Sequence, residues 1–501
     1  MHHLPGIRVN RSGGKRQSII FTCKKVDRSS KIAYLAALFR RWHGAESQAA
    51  VALPRTTSGR EYFRLSAAGT TAIGAYHENV AENRAFLLFT ERFRSRGLPV
   101  PEIFLRAEDD RAYLLQDLGD LTLNKAVLSH PAPWEQGSEM IHTYKKVLSL
   151  LPAFQLSGLS EEDYSYCVPR SVFDRQSVLW DLNYFKYLCL RLLGVPFDEQ
   201  ALENDFQRLA TWLEAVPAGF FMYRDFQSRN IMLAGGEPYF IDYQGGRHGP
   251  LHYDPASLLF QSSVNMPSEK RAELLDHYLS EINKKIKIRK QDFIPVYHHF
   301  VLIRILQNLA AYGLRGIVEN KGTFRASIPY ALKNLEWLLE EAHFEVEMPG
   351  LLQALHALIH TDAVPAPVVA DRDRLTVSIT SFSYKNGIPP DNSGFGGGFV
   401  FDCRALPNPG RMEEFKQYTG LDKPVKDFLE ENKEVQVFLD HVRKIILQAV
   451  NDYRQRHFSH LVVNFGCTGG QHRSVYCAER LRDYLAKKSD SILIINHREL
   501  P

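Results

Sequence analysis

The sequence has 501 residues, 45% hydrophobic and 24% charged, which is enough chain for more than one domain, each with its own core. The formal net charge of +4 is too small to imply a nucleic-acid partner by itself. Its six cysteines (Cys23, Cys167, Cys189, Cys403, Cys467 and Cys477) are scattered without a Cys-x-x-Cys pair, which argues against both a zinc site and a disulfide framework.

Residues 1–30 hold seven Lys/Arg against one acid, Asp27, and read as a basic flexible leader. The apolar run SIIFTC (18–23) is too short for a secretory signal. No stretch approaches the ~18 consecutive apolar residues of a membrane span, so a cytoplasmic protein without a membrane partner is expected. Over residues 50–120, strand-like runs EYFRL, TTAIGAY and AYLLQDL alternate with one helical pattern around Glu82 to Arg96. In that pattern Phe86, Phe89 and Phe93 recur at helical spacing, which points to core packing. From about 135 to 345 the pattern is mostly helical, interrupted by a strand-and-turn section at 219–250. The segment VPAPVVADRDR (364–374) is rich in proline and charge and closes a linker, 346–374. A new α/β pattern begins at Leu375. The expected domains are therefore 31–345 and 375–501.

The section GFFMYRDFQSRNIMLAGGEPYFIDYQGGRHGPLHYDPASLLF (219–259) carries the first chemical constellation. Asp225 is followed five residues later by Asn230, then by two short strands around a Gly-Gly turn that end at Asp242. A hairpin of that length returns Asp242 to Asn230. Phosphoryl transfer needs such a trio: a carboxylate for the attacking hydroxyl, and a carboxamide with a second carboxylate to hold Mg²⁺. Glu82 reads as a surface helix glutamate, and Asp254, before Pro255, as a helix N-cap.

YRDFQSRN (223–230) and IDYQG (241–245) resemble the catalytic loop and metal-binding strand end of the aminoglycoside phosphotransferase and choline kinase superfamily. GPLHYDPASLL (249–259) is closest to its bacterial branch acting on the anomeric hydroxyl of N-acetylmuramic acid and N-acetylglucosamine. The resemblance spans about 50–345. It implies a protein-kinase-like α+β fold, a small β-rich lobe plus a helical lobe, with ATP and Mg²⁺ as cofactors. Asp225 is then the catalytic base, and Asn230 and Asp242 are the metal ligands. SGREYFRL (58–65) is similar to the branch's nucleotide loop and YLLQDLG (113–119) to its strand into the hinge, which makes Ser58, Gly59, Arg60, Arg64, Gln116 and Asp117 nucleotide-binding candidates. Two features depart from that pattern. Tyr223 stands where the loop normally opens with His, and no lysine occurs between Lys31 and Lys125. Arg60 or Arg64 is left to supply the charge that the nucleotide phosphates require.

The second constellation is GCTGGQHRS (466–474), set between the apolar run HLVVNF (460–465) and the helical pattern RSVYCAERLRDYLAKK (473–488). A glycine-bearing turn at a helix N-terminus aims backbone N–H groups and a positive dipole end at one point. Arg473 can add a two-pronged donor, Thr468 and Ser474 add hydroxyls, and Gly469 and Gly470 let the backbone approach an anion. Strands at 374–384 and 399–409 and a helix at roughly 433–456 complete a small α/β parallel-sheet domain, with its ligand at the strand C-termini. Asp402 and Arg404 lie near one strand end. The spacing Cys467-x5-Arg473-Ser474 also fits a cysteine phosphatase loop, a weaker reading because no acid partner is apparent.

SFSYKNGIP, FDCRALPNP, TGLDKPV and GCTGGQHRSVY closely resemble motifs of the C-terminal domain of RapZ-type RNase adapter proteins, over about 375–500. The resemblance implies a glucosamine-6-phosphate pocket lined by Asp402, Arg404, Thr468, Gly469, His472 and Arg473. It also brings RNA in as a candidate partner. Against RNA stand the lack of a GxxxxGK[ST] loop and of the Lys/Arg tail of RNA-working members. The GFGGG stretch (394–398) is expected to be a mobile loop beside the pocket. Together the two halves point to an amino-sugar kinase joined to an amino-sugar-phosphate sensor. The alternative is a kinase-like regulator with little or no catalysis.

Overall fold

A computed structural model describes residues 27–54, 59–319, 321–361, 374–389, 398–455, 458 and 460–500. The chain divides into two compact units, residues 1–87 with 101–117 and residues 88–100 with 118–501. Most of the basic leader, Ser58, the greater part of the 364–374 linker and residues 390–397 of the glycine-rich loop lie outside the described residues.

The first unit is a five-stranded antiparallel sheet in the order β1 (Ala49–Ala52), β2 (Glu61–Ala67), β3 (Thr70–Tyr76), β5 (Ala112–Gln116), β4 (Ile103–Arg106). Alternation in EYFRLSA places Phe63, Leu65 and Ala67 inward, against Leu35, Leu38 and Phe39 of the helix Arg28–His43. Asp27 caps that helix through the Ser30 N–H, and Gly44 closes it at φ 83°. Gly74 allows the close approach, since a Cβ there would lie 2.7 Å from Leu65 Cδ1. The helix Val80–Arg94 follows. Phe86, Phe89 and Phe93 are buried as expected.

The second unit begins with the helical section. Around its helices run two small antiparallel pairs, β6 (Phe220–Met222) with β9 (Arg247–Gly249), and β7 (Ile231–Ala234) with β8 (Glu237–Phe240). Gly235 and Gly236, at φ 59° and 80°, make the tight β7–β8 turn. Among the described residues, Lys290–Val318 is the one helix long and apolar enough to cross a membrane, with mean hydropathy 1.3 over its window. The sequence reading found no such span because His298, His299 and Arg304 interrupt its apolar run. In the fold it is a core helix, with 56% of that window buried.

Residues 374–500 contain a four-stranded, all-parallel sheet in the order β11 (Phe399–Asp402), β12 (His460–Cys467), β10 (Thr376–Ser383), β13 (Ile492–His497). Val377, Ile379, Val463 and Phe465 of the sheet pack with Leu439, Ile446 and Leu481 from the helices Lys433–Gln455 and Arg473–Lys488. These helices match the expected spans. β11 stops at Asp402, short of the expected 409, because the Asp402 side chain accepts the Arg404 N–H and starts a 3-10 turn. Register sets Ser383 beside Cys467 and Asp402 beside Gly466, so three carboxyl ends align.

Candidate functional site

β6 delivers the chain into Tyr223-Arg224-Asp225. Arg224 has φ 71°, a left-handed conformation unusual for an arginine. One buried carboxylate holds the backbone there: Asp254 accepts the Tyr223 N–H at 2.9 Å and the Arg224 N–H at 3.0 Å. Asp254 is therefore not the expected N-cap. The helix Tyr253–Leu259 begins one residue earlier, and this side chain turns to the loop, where two adjacent N–H groups need an acceptor. Burial pushes the Asp254 carboxyl up to about 7, while the two N–H donors and Arg304 pull it down.

Beyond this anchor, Gln227 N–H returns to the Asp225 carbonyl at 2.9 Å, and Asn230 Nδ2 donates to the same carbonyl at 2.9 Å. That bond leaves the carboxamide oxygen of Asn230 as the end able to meet a cation. The hairpin closes as the spacing predicts: Ile241 N–H donates to Asn230 O at 3.0 Å, and Asp242 follows at φ 69°. Gln244 Nε2 holds Asp242 Oδ1 at 2.7 Å. Tyr223, buried where a histidine was expected, donates its hydroxyl to the Ile241 carbonyl and so ties the loop to this strand end. The structure thus brings Asp225, Asn230 and Asp242 together on one hydrogen-bonded frame. Oxygen donors on strand and loop ends suit Mg²⁺, which keeps most of its waters.

Deeper in this unit lies a polar cluster that motif reading missed. Arg224 Nη2 approaches Asp181 Oδ1 at 3.5 Å, and Gln307 Nε2 donates to the same oxygen at 3.2 Å. Arg304 Nη1 donates to the Tyr253 hydroxyl at 3.0 Å and to Gln307. Arg247 donates to the Gly245 and Val168 carbonyls. The legible signal was Arg304 itself, a lone charge inside FVLIRILQNL.

In the first unit, Gly59 has φ 81°, and Arg60, only 1% exposed, pairs with Glu82 Oε2 at 3.6 Å. His77 Nδ1 lies 3.7 Å from the same oxygen. Glu82 is thus not a plain surface glutamate, because a buried guanidinium draws it inward. Arg64 grips Asp117 with two bonds, 2.7 and 3.0 Å. Gln116 accepts the Glu102 N–H at 3.3 Å.

At the carboxyl edge of the parallel sheet, the turn 468–472 enters the helix Arg473–Lys488. Thr468 and Gly469 are exposed, whereas Ser474 is fully buried. Cys467 Sγ receives the Gly470 N–H and contacts Ser474 Oγ, each at 3.2 Å. Gly470 sits at φ 73°, and a Cβ there would lie 2.2 Å from Glu499 Cγ. Glu499 accepts from Ser383 N–H at 3.3 Å and from Asn386 Nδ2 at 2.7 Å. His472 places Nε2 3.2 Å from Phe415 O. Arg404 forms a two-pronged pair with Asp402 and lies 4.0 Å over the Tyr384 ring. That guanidinium holds the Asp402 carboxyl below its usual range.

Arg473 departs from expectation. It is 4% exposed, and its Nη1 donates to the carbonyls of Arg404 and Leu406, both at 2.9 Å. Its Nη1 braces the 402–406 turn, while its Nε is buried without a hydrogen-bond partner.

Residues 50–283 match the Phosphotransferase enzyme family, and residues 375–501 match the RapZ C-terminal domain. A curated nucleotide-binding protein of Staphylococcus epidermidis is 39% identical over 127 residues, 25% of this chain and 40% of the relative. One of Acidithiobacillus ferrooxidans is 43% identical over 126 residues, again 25% and 40%. The chain thus spans about two fifths of the length of these relatives. Among solved structures, choline kinase from Cryptosporidium parvum aligns with a TM-score of 0.43 at 12% identity, covering 66% of this chain and all of that one. Plasmodium vivax ethanolamine kinase aligns at 0.42 and 13%, covering 58% and 82%.

Proposed function

We propose that this chain, which joins a phosphotransferase-family segment to a RapZ C-terminal segment, is an ATP-dependent kinase for a hydroxyl of an amino sugar, with an amino-sugar phosphate held by its C-terminal sheet. In this reading the kinase-like part runs from residue 31 through the helix Pro349–Ile359, which stands where a linker was expected, buries Leu351, Leu355 and Leu358 and gives the Leu351 N–H to Asp205 Oδ2 at 2.8 Å; residues 375–501 are the sensing part of a cytoplasmic protein.

The observation that carries the reading is the hairpin register, which pairs Asn230 with Ile241, the residue before Asp242, while Asn230 Nδ2 also holds the Asp225 carbonyl. Asp225 orients the acceptor hydroxyl and takes its proton. The acceptor oxygen bonds to the γ-phosphorus, the bond from that phosphorus to the bridging oxygen breaks, and ADP leaves with the electron pair. Asn230 and Asp242 would hold Mg²⁺, which supplies charge neutralisation across the phosphate oxygens. Arg60, paired with Glu82, is assigned the place of the absent lysine. Ser58, Gly59, Arg64, Gln116 and Asp117 are assigned to the nucleotide loop and hinge. Arg64 and Asp117 already pair with each other, so their contribution is positional.

For the C-terminal sheet, Thr468 and Gly469 would supply backbone donors at a helix N-terminus, beside Gly470, whose N–H goes to Cys467 Sγ. Asp402, Arg404 and His472 would meet the ligand at this edge, and Arg473 and Ser474 would brace it from beneath. A glucosamine-6-phosphate-type ligand fits that chemistry. The test is incubation of the full chain with Mg-ATP and N-acetylglucosamine or N-acetylmuramic acid, reading sugar phosphate formed. Product with wild type supports the reading. No product with either sugar, together with thermal stabilisation by glucosamine-6-phosphate, favours the non-catalytic regulator, for which the missing lysine is the supporting observation.

A further inference from the structure

We propose that a cavity in the helical section of the second unit is a further ligand site, built for a flat apolar molecule that carries one anionic group.

The cavity has a volume of about 630 Å³ and lies wholly within the second unit. Small-molecule sites typically measure about 300–1,000 Å³, with apolar walls and few polar groups. Here the walls include Trp212 near the end of the helix Glu199–Glu214, Val216 just beyond it, and Phe220 at the start of β6. Leu251, His252 and Phe293 complete them. Asp225, Asn230 and Asp242 are not in the lining, nor is any residue assigned to the nucleotide or the sugar phosphate. The cavity is therefore separate from both candidate centres.

Its ring-bearing walls are held in place before any ligand arrives. Trp212 stacks on His299 with ring centroids 4.2 Å apart, and His252 stacks on Phe293 at 4.1 Å. Burial pushes His252 to about 3, so near pH 7 the imidazole is neutral and extends the aromatic surface without adding charge. Fixed ring faces favour a flat ring system over a flexible chain, since neither side then loses much freedom on stacking. Trp212, Val216 and Phe220 remain half-buried, and that apolar surface is what the ligand would cover.

The charges in the lining set the sign of the ligand. There are two cations, Lys287 and Arg289, against one acid, Asp292. Asp292 is spent on Arg289 at 2.5 Å, and the adjacent Lys290 pairs with Asp276 at 2.5 Å. Lys287 is exposed and forms no ion pair among the described residues, which leaves one uncompensated cation at the cavity. The helix Lys290–Tyr312 starts at the same place without a side-chain cap, so its first N–H groups and positive dipole end add to Lys287. A carboxylate, sulfonate or phosphate at one edge of the ligand meets both, whereas a cationic head meets like charge.

The test titrates the full chain with two fluorescent probes of one shape, anilinonaphthalene sulfonate and its neutral parent N-phenylnaphthylamine. The sulfonate should saturate a single site per chain and bind about 3- to 10-fold more tightly than the neutral probe, the effect of one partly exposed charge and a helix end. Lys287→Ala should bring that ratio down toward one while leaving the neutral probe's affinity unchanged. Val216→Trp, which fills the cavity from its wall, should weaken both probes by about 10-fold or more. No saturable binding of either probe would overturn the proposal, as would wild-type affinities in Val216→Trp. Equal affinities of the two probes for wild type would overturn the anionic class. If Val216→Trp lowers the melting temperature, the exposed Lys287→Ala decides alone, and an unchanged ratio in that variant overturns the site. Neither probe needs turnover, so the result stands apart from the kinase reading.

Discussion

In the loop 223–230 the chain spends backbone N–H groups on a buried carboxylate, Asp254, and the partly exposed side chains of Asp225 and Asp242 stand on that fixed frame. In the loop 466–474 it does the reverse. A buried guanidinium, Arg473, is spent on two backbone carbonyls, and the exposed elements are the short turn residues Thr468 and Gly469. Transferring a phosphoryl group requires side chains that move a proton and hold a cation, so their backbone must be immobile. Holding a phosphate needs only N–H groups and a helix end, so a side chain can be used as the brace. Under the proposed function the first loop carries the chemistry and the second the recognition.

The comparison can be broken at its two buried braces. Asp254→Asn keeps one acceptor oxygen and turns an amide N–H₂ toward a second donor, so the loop should shift. A displacement near 1 Å costs about 100-fold in rate, with melting temperature lowered, while stabilisation by glucosamine-6-phosphate is unaffected. An unchanged rate would remove Asp254 from the account. Because burial raises this carboxyl to about 7 from 3.8, its contribution to stability is complete below pH 4 and is lost as pH rises to 7. The Asn variant should lack that loss. Arg473→Gln should act in the opposite place. One buried and one part-buried carbonyl lose their donor, which costs about 1–3 kcal/mol of C-terminal stability, and the phosphate ligand is lost, while sugar phosphorylation persists.

Smaller changes sharpen it. Glu499 packs its Cγ against Gly470 and puts its carboxylate on the Ser383 N–H and the Asn386 amide, competing with any anion at that edge. Glu499→Gln should tighten glucosamine-6-phosphate binding by roughly 3- to 10-fold in calorimetry, about the effect of one like charge removed. A weakened affinity would place Glu499 among the ligand's own partners. His252 stacks on Phe293 with ring centroids 4.1 Å apart, and its Nδ1 is buried without a partner. Burial pushes it to about 3 from 6.5, so its contribution to stability is present above pH 6.5 and is lost as pH falls toward 3. His252→Phe should recover about 2 kcal/mol at pH 5 and little at pH 7, read from denaturant midpoints.

Much of this was legible in the sequence where spacing alone fixes geometry. Asp225 to Asn230 to Asp242 came together because a Gly-Gly hairpin has only one economical return. The parallel sheet and the turn into the helix at Arg473 followed from apolar periodicity. Partners distant in sequence were not legible. Asp254 lies thirty residues beyond the N–H groups it holds, and its local context, before a proline, spoke for a cap. Arg64 meets Asp117 across the sheet, 53 positions away. Arg473 depends on a 3-10 turn begun by Asp402, which cut short a strand that hydrophobicity alone would have prolonged.

The most direct measurement separates binding from transfer at Asp225. Mg-ATP affinity by calorimetry and single-turnover transfer to the acceptor are measured on wild type and Asp225→Asn at equal melting temperature. The account predicts Mg-ATP affinity within a few-fold and transfer slowed by about 10²- to 10⁴-fold, the range for loss of a positioned base. Transfer at the wild-type rate in Asp225→Asn would contradict it.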